Sequence, residues 1–472
     1  MGEGQQTFKY TNLEKLFRPQ SVAVVGVSQN PTKGGGFIWS RMTGQGYSGQ
    51  KFPIGRSIKE IDGIQCYESI REIEEPIDLA IIAVPAAVVE TVLKECVQKQ
   101  VPFVIIHTAG FAELGEEGLS LQKKILEPLQ SSQTRVVGPN CMGLFCPDVS
   151  LNTIVEVEKS ELAPGNVAFC GQSGWATENF IAEGVSRGLN FSTVISSGNQ
   201  ADLDIYDYVS YFGSDSQTRV ISAYLEGNKR GKDFFDLARE VSHVKPVIIW
   251  KAGHSAAGAK AAMSHTGSIA GNQVMWDGAA RSAGIVSVVG FEELTDMSVA
   301  FSGPIYPAGK RVGIMVEAGG GGISAADACD KLDLEVTQFS EPVKTKLREY
   351  LKDYLPPFSG ISNPLDLVWL PATHAMELCT TCVELIAEEI DVIIAMSYLP
   401  FFSNELRSEY IKTLCGLRDK LNLPIYIVPP YASRGAEGMK ECTAAGLPSL
   451  PTFERAARAV AATYQYQQWR VE

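Results

Sequence analysis

Histidine is scarce in this chain, with five in 472 residues, so each one is a candidate for chemistry rather than filler. Long apolar runs are missing as well. No stretch approaches the roughly 18–20 apolar residues that a membrane-spanning helix needs, and the polar amino terminus, MGEGQQTFKYTNLEKLF, has no apolar core of a secretory signal; a cytoplasmic protein with no membrane partner is expected. Positive charge is in deficit. With 41 Lys and Arg against 54 Asp and Glu, the formal net charge is −13 and the pI about 5.1, which excludes broad binding to nucleic acid or anionic membranes because both would be repelled. Basic groups must therefore act locally. The ten cysteines, at 66, 96, 141, 146, 170, 329, 379, 382, 415 and 442, follow no disulfide spacing and read as reduced thiols. The one C-x-x-C, Cys379 to Cys382, lies in a stretch with apolar residues at helical spacing and has no second ligand pair. It is expected to be a structural helix face, and no metal site is expected.

What is present is an ordinary globular composition, 45% hydrophobic and 20% charged. At about 150 residues per domain the length implies about three domains. Apolar, β-branched runs end repeatedly in Gly, Pro or small polar residues: SVAVVGVS, IDLAIIAVP, VPFVIIHTAGF and TRVVGPNCMG, with amphipathic stretches such as AAVVETVLKECVQKQ between them. This is the pattern of βαβ units on a parallel sheet whose strands are buried on both faces. The pattern restarts at GNVAFCGQSG and again at RVGIMVEAGGGG. The fold expected is α/β: a Rossmann-like domain over residues 1–150, then two flavodoxin-like parallel-sheet domains over 151–305 and 306–472.

Several strand ends carry ligand chemistry. VAVVGVSQNPTKGGGF places Gly26, Ser28, Gln29 and Lys33 between a strand and a helix, where backbone N–H groups and a helix N-terminus can take a phosphate. It is not the full G-x-G-x-x-G fingerprint, and alone it reads equally as turn chemistry. The end of the second strand carries Arg56 where an NAD site would carry Asp or Glu, which fits a phosphorylated ribose, as in coenzyme A or NADP. Val84 and Pro85, then Thr108, Ala109 and Gly110, then Asn140 and Cys141, follow successive strands and should line the same edge. None is a general acid or base placed for hydride transfer, which favours coenzyme A. His107 reads as a contact or packing group. Cys141 reads as a lining residue, since no basic neighbour lowers its thiol pKa.

His265 stands in SHTGSIAG, a small-residue loop. An unprotonated imidazole near neutral pH is a good phosphoryl acceptor, and small neighbours allow it to approach two reaction centres. Taken alone it could be an exposed loop histidine. Around it, Glu226 ends the strand AYLEGN, Gln172, Ser173 and Gly174 form a turn into a helix, and Gly319, Gly320, Gly321 and Gly322 lie ahead of another helix. Both turns are candidate anion sites.

From about Leu16 to Ala462 these motifs, with SSGNQADLDIYDYV and FSGISNPLDL, resemble the α-subunits of ADP-forming acyl-CoA synthetases in the succinyl-CoA synthetase superfamily. The resemblance implies that His265 is the phosphorylated residue, that Glu226 fixes its tautomer, and that the two glycine turns hold the phosphate. It implies coenzyme A as substrate on the first domain, a small carboxylic acid, an acyl phosphate intermediate, and ADP or ATP with Mg2+ on a separate ATP-grasp β-subunit in an α2β2 assembly, because no ATP-grasp-like segment follows the third domain. Three positions depart from the family pattern: PIGRS stands for VNP plus Lys, so the phosphate contact at Arg56 is open; Gln200 stands for Lys; and Glu317 precedes the glycine turn. A carboxylate there should repel phosphate, so Glu317 is expected to point away or to pair with a cation. The alternatives are a non-catalytic CoA-binding regulatory protein on the same scaffold and a nucleotide-dependent oxidoreductase using the first domain.

Overall fold

The strands expected from the apolar runs assemble into three main sheets. The computed structural model describes residues 11–155, 163–253, 258, 273–356, 359–368, 372–397, 403–431, 433 and 435–471. The chain falls into two compact units, one of residues 1–182 with 190–294, the other of 183–189 with 295–472.

In the first unit, β1 (Ser21–Val25) pairs in parallel with β2 (Gln50–Ile54). A small antiparallel hairpin, β3 (Glu60–Ile61) and β4 (Ile64–Gln65), follows. Then β5 (Leu79–Ile82), β6 (Phe103–Ile106) and β7 (Arg135–Val137) complete a parallel sheet in the order β2-β1-β5-β6-β7. Strands β1, β5 and β6 are buried along their whole length, as strands covered by helices on both faces must be.

The second sheet contains β8 (Gly143–Cys146), β9 (Leu151–Asn152), β10 (Val167–Gly171), β11 (Phe191–Ser196), β12 (Val220–Leu225), β13 (Val247–Lys251) and β14 (Val286–Val288), in the order β14-β13-β12-β10-β11-β8-β9. Its centre is parallel, but β8 and β9 run antiparallel. The change of sheet thus falls between Val137 and Gly143, upstream of residue 150. Four- and two-residue strands carry too little periodicity to announce it. One apolar cluster contains Val24 and Ile105 of the first sheet together with Ile195, Ile221 and Ile249 of the second, so the two sheets share a core.

The second unit is built on β15 (Val312–Val316), β16 (Leu365–Asp366), β17 (Val392–Met396) and β18 (Ile425–Val428), all parallel, in the order β16-β15-β17-β18. Its core takes in Met315, Ile393 and Ile425 with Cys379 and Cys382 of the helix Ala372–Ile386. It also buries a charge cluster. Asp296, 3% exposed, accepts from Arg187 Nη1 and Nη2 at 3.3 Å and from Arg455 Nη2 at 2.7 Å, while Arg187 Nη2 also donates to the Ser449 carbonyl at 3.0 Å. Removing a shared counter-ion strands the buried cations, at a cost of about 3–5 kcal/mol. Asp296→Ala should lower the urea-unfolding free energy of the second unit by about that amount; a loss below about 1 kcal/mol would mean that the cluster behaves as an exposed ion pair.

Candidate functional site

The carboxyl ends of the first sheet form one continuous edge. Gly26 follows β1 at φ +98°, and a side chain there would overlap the Ala83 carbonyl beyond β5. The helix Gly34–Gly44 starts at Lys33 with no side-chain cap and no acidic residue in its first turn, so its leading N–H groups are open to an anion. Gly36 must be glycine because Ser28 and Asn30 lie against it. Gln29 and Lys33 are exposed, Ser28 is half-buried, and Arg56 lies exposed just beyond β2. Thr108 Oγ1 donates to the Val84 carbonyl at 2.6 Å, and the Asn140 amide donates to the Thr108 carbonyl at 3.0 Å. Pro85 and Ala109 are exposed beside them, and Gly110, at φ +109°, donates its amide to Glu113 Oε1 at 2.6 Å. The predicted residues therefore share the edge that binds ligands in folds of this type, Cys141 excepted in one respect. The residue is 4% exposed, its sulfur lies 3.4 Å from the Ile106 carbonyl, and burial pushes its thiol up to about 12. His107 is half-buried, its Nδ1 has no hydrogen-bond partner among the described residues, and desolvation lowers its pKa.

This edge continues into that of the second sheet. Gly198, at φ +53° after β11, packs on the Pro139 and Asn140 carbonyls. Asn199 donates from its backbone to Pro139 at 3.0 Å and from Nδ2 to Glu113 Oε2 at 2.6 Å and Gln122 Oε1 at 3.0 Å. Hydrogen bonds from Asn199 and from the Gly110 and Phe111 amides hold Glu113 below the usual carboxylate range against its desolvation. Asn199 and Glu113 escaped the sequence reading because both sit in ordinary polar stretches.

Beyond β10, Gln172 is 7% exposed and its side-chain amide is fully committed. Oε1 accepts from the amides of Glu226 and Gly227, the latter at 3.0 Å; Nε2 donates to Gln200 Oε1 at 2.9 Å and to the Gly227 carbonyl at 3.1 Å. A primary amide has no further capacity, so Gln172 positions Glu226 and has no side-chain group left for phosphate. Ser173 Oγ accepts from the Ala176 amide at 3.3 Å, inside the first turn of the helix Gly174–Ser186. Gly174 packs on Met142. Glu226 is 4% exposed and hydrogen-bonds Tyr224, whose pKa is raised by burial and by that carboxylate. Gln200, at φ +52°, also donates to Ser197 Oγ at 2.8 Å, and Lys229 Nζ caps the Gln200 and Asn199 carbonyls at 2.7 and 3.1 Å. An ammonium thus still reaches this loop, from the segment that follows β12. Lys251 Nζ donates to the Glu226 carbonyl at 2.8 Å; a charged residue closing the apolar run VIIWK was the available signal.

His265 lies outside the described residues. In the second unit, Gly319–Gly322 form the first turn of the helix Gly319–Asp330 itself rather than a loop ahead of it, and the helix starts at Ala318 without a side-chain cap. Gly319 and Gly320 are exposed; Gly321 and Gly322 lie against Phe453 and Pro364. Glu317 is half-buried and forms no ion pair among the described residues. Burial pushes it up to about 7, and its electrostatic neighbours include Cys379 and Tyr410. Protonation, rather than a cation, relieves its charge. Cys379 and Cys382 are buried with thiols pushed up to about 12, unlike a redox pair.

Such an edge on a Rossmann-like sheet, continued by a flavodoxin-like one, defines a class. Residues 20–147 match the CoA binding domain family, and residues 164–301 the succinyl-CoA ligase like flavodoxin domain. The chain is 34% identical over 460 residues to the acetate–CoA ligase (ADP-forming) II subunit alpha of Pyrococcus furiosus, covering 96% of each chain. It is 38% identical to the acetate–CoA ligase (ADP-forming) of Methanocaldococcus jannaschii over 75% of this chain and 49% of that one. A solved structure of Ca. Korarchaeum cryptofilum dinucleotide forming acetyl-coenzyme A synthetase 1, in complex with phosphate and ADP, superposes with a TM-score of 0.85 at 29% identity, covering 98% of both chains. The chain belongs to the family of ADP-forming acid–CoA ligase alpha subunits. No described helix is long and apolar enough to cross a membrane.

Two measurements check the site chemistry. Folded protein keeps the Glu317 proton up to about pH 7, whereas the unfolded chain loses it near the ordinary value of 4.5, so this group lowers stability as pH rises through that window and no further above it. The melting temperature of Glu317→Gln relative to the parent should climb between pH 4.5 and 7 and then level; a pH-independent difference would contradict the burial. Of ten thiols only Cys66 and Cys415 are not buried, so a native-state thiol titration at pH 8 should show at most those two reacting promptly.

Proposed function

We propose that this chain catalyses, with a second subunit, the interconversion of acyl-CoA, ADP and phosphate with a carboxylate, CoA and ATP. The observation that carries the reading is the continuity of the two sheet edges in the first unit. The uncapped helix at Lys33 and the Arg56 side suit the phosphates of CoA, and the Asn140–Asn199–Glu113 contacts lead from there to Gln172 and Glu226.

Phosphate attacks the acyl carbonyl of the thioester and CoA leaves as a thiol, giving an acyl phosphate. His265 then takes the phosphoryl group through an imidazole nitrogen, releasing the carboxylate, and passes it to ADP. Glu226, fixed through its backbone by Gln172, would accept the other imidazole N–H and set the tautomer. The helix N-terminus at Gly174 would stabilise the phosphorylated state by about 0.3–2 kcal/mol.

Names of relatives as alpha subunits, and the 49% share of the longer M. jannaschii chain that is matched, support an ATP-grasp β-subunit that binds ADP and Mg2+, in an α2β2 assembly. The test is mass spectrometry after incubation with phosphate and each of acetyl-, isobutyryl- and phenylacetyl-CoA. Alkali-stable, acid-labile phosphate should appear on His265 and be lost in His265→Asn. Its absence with every acyl-CoA would sink the reading, as would tighter calorimetric binding of NADPH than of CoA.

A further inference from the structure

Gln172, Lys251 and Tyr224 close on Glu226 from different sides. Gln172 Oε1 accepts from its amide, Lys251 Nζ donates to its carbonyl at 2.8 Å, and the Tyr224 phenol donates to its carboxylate. The first two fix the backbone, and Tyr224 holds the side chain. Tyr224 lies in β12 two residues before Glu226, a spacing that sends both side chains to the same side. Its register partners are Gly171 of β10 and Trp250 of β13. The glycine puts no side chain beside the phenol, and the Trp250 ring meets it edge-on at 4.8 Å and 78°. Trp250 in turn meets Phe291 at 6.5 Å, and Phe291 meets Trp175 at 6.2 Å, so a row of rings supports the phenol. None of these ring contacts uses the hydroxyl, and a phenylalanine would pack as well. What the hydroxyl adds is a donor at a fixed place beside a residue that is 4% exposed. Burial and the neighbouring carboxylate raise the phenol pKa, so it keeps its proton. A carboxylate has about four acceptor positions and can take the phenol together with an imidazole N–H.

We propose that Tyr224 is a positioning residue for phosphoryl transfer: by holding one edge of the Glu226 carboxylate it aims the remaining acceptors at an imidazole N–H of His265, so that the opposite ring nitrogen presents its lone pair to phosphorus. The phenol acts through Glu226 and loses no proton in the step. The assignment rests on the ligase reading above, in which Glu226 sets the tautomer.

Tyr224→Phe tests it, with phosphate and whichever of acetyl-, isobutyryl- and phenylacetyl-CoA phosphorylates the parent chain fastest. The maximal rate of phosphate appearance on His265, followed by mass spectrometry, should fall about ten- to a hundredfold. The half-saturating acyl-CoA concentration and the calorimetric affinity for CoA should stay within about twofold of the parent, with unchanged circular dichroism. Glu226→Asp draws the carboxylate back from the phenol, and adding Tyr224→Phe to it should cost less than about a further twofold, because the two side chains act as one unit. A Tyr224→Phe rate equal to that of the parent, an equal loss in CoA affinity, or the same fold-loss in the Glu226→Asp background would overturn the proposal. Failure of the ligase reading shows separately, as absence of phosphate on His265 of the parent with every acyl-CoA, and would overturn the role of Tyr224 with it.

Discussion

The arrangement of the first unit depends on one buried amide. Gln172 uses both lone pairs and both N–H groups to hold the Glu226–Gly227 backbone and Gln200, so three strand ends that are far apart in sequence are tied to one side chain. A buried polar group left unpaired is costly, so loss of any one of the four bonds penalises the clamp. This sets where the Glu226 carboxylate stands.

A second tie, through Asn199, performs the corresponding task between the two sheets. It reaches Pro139 by its backbone and Glu113 and Gln122 by its side chain, and the positive φ values at Gly198 and Gln200 let the loop turn sharply enough to do so. Groups suited to CoA and groups suited to a phosphorylated imidazole thereby occupy one connected edge. Gln200, which departs from the family pattern, belongs to this loop, and Lys229 supplies an ammonium to its carbonyls. In the second unit Glu317 shows the opposite economy: a half-buried carboxyl with no ion pair among the described residues has its pKa pushed up to about 7 by burial, and its charge state therefore follows pH in the range where enzymes work.

Much of this was legible from residues alone. Apolar runs ending in glycine announced the parallel strands, since strands buried on both faces need no alternation, and Gly26, Ser28, Lys33, Val84, Thr108, Asn140, Gln172 and Glu226 were placed at strand ends because ligand chemistry in such folds gathers there. The motifs also point to the family, through the histidine loop and the strand AYLEGN. Local pattern could not show how side chains divide their hydrogen bonds. Nothing in CGQSG distinguishes a glutamine that contacts phosphate from one that clamps a strand, and nothing in GPNCMG shows that the Cys141 sulfur turns inward to the Ile106 carbonyl.

By itself, then, the sequence determined the strand-and-helix order, the class of chemistry and the candidate residues, because these follow from side-chain polarity and spacing along the chain. Only the tertiary structure decided that β8 and β9 join the second sheet, that Gly319–Gly322 open a helix rather than precede one, and that Asn199, Glu113 and Lys251 belong with the candidate site. Those outcomes depend on contacts between residues tens to hundreds of positions apart, and on which donors and acceptors remain unmet once the core has closed.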